Sequence, residues 1–156
     1  MSPRSPRLHK VANAWRLAYI GWDFVGAFLA YTLLYTFRKS ILEPARFGVA
    51  EMAWVNFYVY GSLLTAGMWV GAMGMVGLYL RPLRKSRLKE LSRALQVWAV
   101  FSVLYFIFFL LDDYVDAYSG YFKSAGLFAG TLFIWTIAGK IILGYVIRFR
   151  IKRKKL

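Results

Sequence analysis

Four long apolar stretches, separated by shorter polar connections, divide the chain. The first, WRLAYIGWDFVGAFLAYTLLYTF, covers residues 15–37. The second runs over 53–80 and is rich in glycine, the third covers 91–111 with QVWAVFSVLYFIFFLL, and the fourth covers 125–147 with GLFAGTLFIWTIAGKIILGYV. A helix rises about 1.5 Å per residue, so the first stretch reaches about 34 Å, enough to cross a hydrocarbon core of about 30 Å. The other three are close to or above the length of about 20 residues that a crossing requires. The pattern predicts an all-α membrane protein, a four-transmembrane-helix antiparallel bundle over residues 15–147. A basic segment over 1–14 precedes it and a basic tail over 148–156 follows. The opening MSPRSPRLHK has the charge of a secretory leader. However, the apolar run behind it exceeds the roughly 7–15 residues of a leader and no A-x-A-like cleavage site follows, so this stretch is expected to stay as the first span.

Composition supports a lipid environment and removes most catalytic chemistry. Of the 156 residues, 60% are hydrophobic and 19% aromatic, against about 45–50% apolar residues in soluble domains. Cysteine is absent, which excludes disulfides, thiolate metal sites and cysteine nucleophiles. The one histidine, His9, lies in the basic N-terminal segment, outside any place where a Ser-His-Asp triad or a His-based metal site would be built.

Lysine and arginine number 21 against 7 acidic residues, a formal charge of +14, and their distribution sets an orientation. Arg4, Arg7, Lys10 and Arg16 flank span one, and Arg81, Arg84, Lys85, Arg87, Lys89 and Arg93 surround the second connection. Arg148, Arg150, Lys152, Arg153, Lys154 and Lys155 form the tail, whereas the other two connections hold only Arg38, Lys39, Arg46 and Lys123. Basic residues concentrate on the cytoplasmic side of membrane proteins, so both termini are expected in the cytoplasm. Tyr31, Tyr35, Trp54, Tyr58, Tyr114, Tyr118 and Tyr121 then fall at the outer interface and Trp15, Tyr19, Tyr79 and Tyr145 at the inner one, as an aromatic belt would place them. Because the basic clusters abut spans, topology accounts for them without nucleic acid. Their expected counterions are anionic lipid headgroups, met above all by Arg84, Lys85, Arg87 and Lys89.

Small residues suggest how the spans pack. Gly67, Gly71 and Gly74 in span two and Gly126 and Gly130 in span four recur at the spacing that lets helix backbones approach closely. They fit packing inside the bundle or, through an exposed groove, a homodimer. Gly26, Ala27 and Ala30 in span one share the face of Asp23.

Asp23 and Lys140 are the clearest charges within the spans. Each lies eight residues, about 12 Å, from its reference at the cytoplasmic interface, Trp15 or Arg148. Matched depth predicts that spans one and four are neighbours and that the two side chains form a structural ion pair. An intramembrane carboxylate is also what a small four-helix proton-coupled transporter would use, so that reading stands beside the pair. Asp112, Asp113 and Asp116 spell D-D-x-x-D, a pattern that holds magnesium in prenyl synthases. A single copy in a short outer connection instead reads as a solvated acidic loop. Ser86 suits a helix cap before RLKEL, with Leu83, Leu88 and Leu91 lying on the bilayer. No catalytic residue and no metal ligand is assigned.

Three connection sequences, LYTFRKSILEPARFG, GLYLRPLRKSRLKELSRAL and LLDDYVDAYSGYF, carry a resemblance. The chain is similar, from about Lys10 to its basic tail, to the N-terminal membrane region of bacterial polyprenyl-phosphate sugar-1-phosphate transferases. These enzymes, acting on undecaprenyl phosphate, begin exopolysaccharide and O-antigen assembly. The resemblance implies a multi-pass protein of the bacterial inner membrane that anchors a catalytic region beyond Leu156. There a UDP-sugar would give its sugar 1-phosphate to the lipid with magnesium. No catalytic position of that family has a counterpart here, so the chain itself is expected to be non-catalytic and free of cofactor. The alternatives are the Asp23 transporter and a non-enzymatic membrane partner of a polysaccharide assembly.

Overall fold

None of the four prolines falls inside an apolar stretch, and helix occupies most of each. The computed structural model describes residues 6–42, 56–80, 87–110 and 118–154, with side chains over 11–41, 58–80, 88–109 and 120–149. Helix α1 spans Pro6–Phe37, α2 Asn56–Met75, α3 Arg87–Tyr105 and α4 Tyr118–Lys154. Pro6 opens α1, a position where its missing N–H costs nothing. Single π-helical turns, Arg38–Leu42 and Phe106–Leu110, extend α1 and α3. No strand occurs among the described residues. Val11–Ile41, Leu88–Phe109 and Gly120–Phe149 are long and apolar enough to cross a membrane, which marks the chain as a membrane protein. The 20 residues of α2 match a span in length but mix Gly, Tyr, Ser and Thr with the apolar residues.

Each helix buries one stripe. On α1 it runs through Tyr19, Asp23, Ala27, Ala30 and Leu34, and on α2 through Tyr58, Ser62, Ala66, Trp69 and Met73. On α3 it contains Ala94, Val97, Phe101 and Tyr105, and on α4 Phe128, Leu132, Thr136 and Ile147. The spacings of three and four residues follow the helical period. Helix α1 is the centre of the assembly, packed along both α2 and α4, while α3 leans on α4 and, less closely, on α2. Partners run antiparallel: Thr32 meets Tyr58, Trp69 meets Phe101, Trp98 meets Phe133, and Trp22 meets Trp135. Large apolar side chains such as Leu64, Val100, Phe108, Ile134 and Ile141 point outward, where lipid rather than water suits them.

The helix ends depart from the apolar stretches in one instructive place. The second stretch predicts helix to residue 80, but α2 ends at Met75. Gly77 takes φ 72°, Leu78 N–H donates to Met73 O at 3.1 Å and Gly77 N–H to Gly74 O at 2.9 Å. That is a Schellman closure. The accompanying apolar contact falls to Leu78 and Met73, both buried. Hydropathy cannot register it, because the turn residues are themselves apolar. The turn brings Tyr79 back beneath α1. Helix α3 starts four residues before the third apolar stretch, taking Lys89 and Glu90 into the helix, and α4 overruns the fourth at both ends.

Candidate functional site

The charged residues of the bundle converge. Asp23, on the buried stripe of α1, is 2% exposed, and its Oδ2 accepts a hydrogen bond of 2.8 Å from the Tyr79 hydroxyl. Lys140 comes from α4, three residues before the half-buried Leu143 that packs on the core. Its Nζ lies 3.7 Å from Asp23 Oδ2 and 3.7 Å from Glu90 Oε1. Glu90 sits four residues before Ala94, so it continues the buried stripe of α3 by one turn. The ring of Tyr19, one turn before Asp23, places its centroid 4.8 Å from Nζ, and that of Tyr79 lies 6.0 Å away, within the range of cation–π attraction. One ammonium therefore ties α1, the turn after α2, α3 and α4 together. Asp23 and Glu90 are the two acidic residues among those with described side chains, and both face Lys140.

The arrangement suits holding helices better than attacking a substrate. A carboxylate nucleophile needs an open approach, and Asp23 is closed over by Tyr79 and Lys140. Among the described residues no group of three or more His, Asp or Glu could hold a metal ion. Asp112, Asp113, Asp116 and Ser86 lie outside the described residues, as do Arg84 and Lys85. Arg87 opens α3 and Lys89 is exposed on it.

A second junction lies beside the cluster. Trp22 Nε1 donates to Trp135 O at 3.2 Å, and Trp135 Nε1 donates to Trp22 O at 2.8 Å. The two indoles stack with centroids 4.9 Å apart. Each ring covers a glycine of the opposite helix: a Cβ at Gly26 would collide with Trp135, and one at Gly139 with Trp22. This reciprocal clasp fixes the register of α1 against α4 and so delivers Asp23 and Lys140, one residue beyond Trp22 and Gly139, to each other. Farther along the bundle, neutral hydrogen bonds join the helices. Thr32 and Tyr58 hydroxyls pair at 2.7 Å, Thr65 and Tyr105 at 3.1 Å, and Trp98 Nε1 donates to Ala129 O at 2.8 Å.

Several residues serve differently from the sequence expectation. Gly67, Gly71 and Gly126 are exposed, with nothing within 4 Å of the point where a Cβ would stand, Gly130 has equally open space, and Gly74 is only touched by Tyr79 at 3.8 Å. Packing among the described helices therefore does not use them. The buried stripe of α2 runs through Ser62, Ala66, Trp69 and Met73, which turns 67, 71 and 74 outward. The close approaches fall instead at Gly26, Gly139 and Gly61, the last beneath the Tyr31 ring. Tyr19 and Tyr79, at 5% exposure each, are inside the cluster and do not line an inner aromatic belt, whereas Tyr145 at 68% faces outward. Glu90, Tyr79 and Trp135 are the site residues that sequence reasoning passed over. Comparison with protein-family models, curated proteins and solved structures finds no match to the chain.

Proposed function

We propose that the chain is a membrane-anchoring, non-catalytic domain, a four-span bundle of the bacterial inner membrane with both ends in the cytoplasm. In this reading it holds a catalytic region that transfers a sugar 1-phosphate from a UDP-sugar to polyprenyl phosphate, as the resemblance of its connections to that transferase family implies. Magnesium belongs to that catalytic region. The observation that supports anchoring is the commitment of both described acidic side chains to Lys140: among the described residues the carboxylates join helices and form no open pair. The basic residues flanking α1 and ending α4 would rest against anionic headgroups at the cytoplasmic face.

Reporter fusions after Leu156 and within 112–123 test the topology, with a cytoplasmic signal expected from the first and a periplasmic one from the second. A periplasmic C-terminus rejects the anchor. The purified chain, given a UDP-sugar, polyprenyl phosphate and magnesium, should release no UMP. Turnover by the chain alone rejects the non-catalytic reading, and proton-coupled transport lost on Asp23→Asn with folding intact would favour a transporter.

A further inference from the structure

Among the described side chains, the charge balance of the cluster does not close with every group ionised. Asp23 from α1 and Glu90 from α3 bring two carboxylates to one ammonium from α4, and the turn after α2 contributes only the Tyr79 hydroxyl. Tyr19 presents its ring. The other cations on these elements whose side chains are described near the site, Arg16 on α1, Lys89 and Arg93 on α3 and Arg148 on α4, are exposed. An uncompensated charge is expensive inside a membrane protein, and a proton on one carboxyl removes it.

Lys140 gives an independent sign of sharing. Its side chain is 7% exposed and directed between the two carboxyls, yet Nζ has no hydrogen-bond partner. The equal separations of 3.7 Å allow electrostatic attraction but exceed the roughly 2.7–2.9 Å of a charge-assisted hydrogen bond. Neither acid holds the ammonium for itself.

We propose that Asp23 and Glu90 share one exchangeable proton across Lys140, making the cluster a proton-binding site within the bundle. Exchange conserves the ammonium: Lys140 gives a proton to the Asp23 carboxylate and takes one from the Glu90 carboxyl, so the proton passes from Glu90 to Asp23. Glu90, at 12% side-chain exposure against 2% for Asp23, is the entry point. Losing the proton leaves an unbalanced carboxylate and gaining a second leaves an unbalanced ammonium. Either change loosens the first turns of α3, which among the described residues are tied to Lys140 by Glu90. The inference requires the bundle to be membrane-embedded but does not depend on the transferase reading.

Infrared spectroscopy of the whole chain in lipid nanodiscs tests it through the C=O stretch of a protonated carboxyl, which shifts in D2O. At neutral pH the wild-type chain should show this band with the intensity of one carboxyl. Glu90→Gln and Asp23→Asn should each abolish it, because one carboxylate beside one ammonium is neutral without the proton. Lys140→Met should raise it to about twofold, as both acids then need neutralising. No band in the wild-type chain, or a band that survives either acid substitution, overturns the proposal. The wild-type spectrum and the two conservative amides decide the matter even where Lys140→Met does not fold. Topology fusions, which test the anchor, are unaffected by this result.

Discussion

Gly26→Ala adds a single methyl group to the bundle, yet it should destabilise it where the same change at an open glycine does not. The new Cβ would overlap the Trp135 indole, and two relaxations are open. If the ring stays, α1 and α4 must part, the kind of overpacking that costs about 1–3 kcal/mol. If the ring swings away, the 2.8 Å bond to Trp22 O and the 4.9 Å stack are lost. A hydrogen bond inside a membrane protein is worth about 0.6 kcal/mol and an aromatic pair about 0.5–1.5 kcal/mol beyond its area. Alanine recovers up to about 1 kcal/mol through helix propensity. A net loss of up to about 2 kcal/mol follows, read as a lower denaturant midpoint when the protein is unfolded by SDS in mixed micelles. Gly67→Ala and Gly71→Ala, with nothing within 4 Å, gain the propensity without the collision and should be neutral or slightly stabilising. Repeating Gly26→Ala in a Trp135→Ala background should remove most of the penalty, since the two sites are coupled only through contact. Equal stability of Gly26→Ala and Gly67→Ala would refute the clasp.

Three further substitutions probe other joints. Lys140→Met should cost about 3–5 kcal/mol, because it leaves two buried carboxyls without their cation, and Asp23→Asn less, because Glu90 still balances Lys140; the double change should cost less than the sum, and strict additivity in the same unfolding assay would reject the pairing. Gly77→Ala places a methyl in the left-handed region, at about 1–2 kcal/mol, and wild-type stability in that variant would contradict the Schellman end of α2.

The number and rough position of the helices can be read from apolar run length, because lipid demands about 20 residues whatever the packing. Which face turns inward is harder. A soluble helix marks its core by hydrophobic contrast, but here Leu64, Ile134 and Ile141 lie outside and Ala66, Thr136 and Ser62 inside. In such a bundle the interior stripe is marked by small and polar residues, so glycine alone misleads: Gly67 and Gly71 are as small as Gly26 and Gly139 but carry no partner. Charge and depth single out Asp23 and Lys140, which lie 3.7 Å apart. Glu90 is masked by the basic run around it, although its place one turn before Ala94 puts it on the buried stripe. The clasp had a sequence signature, since Trp followed four residues later by Gly occurs at Trp22 and Trp135 and at no other tryptophan. That reciprocity becomes visible only when two helices are set antiparallel.

The clasp joins residues 113 positions apart in a chain of 156, and this has a consequence for biosynthesis. Translation proceeds at about 5–20 residues per second, so Trp22 waits roughly 6–23 s for Trp135 to be made. Throughout that interval α1 has left the ribosome with Asp23 lacking Lys140 and the smooth face around Gly26 uncovered. The first helix made is also the central one, on which α2 and then α4 must settle. The insertion machinery therefore has to keep α1 laterally accessible, rather than release it to diffuse away, until the last helix arrives to close the bundle.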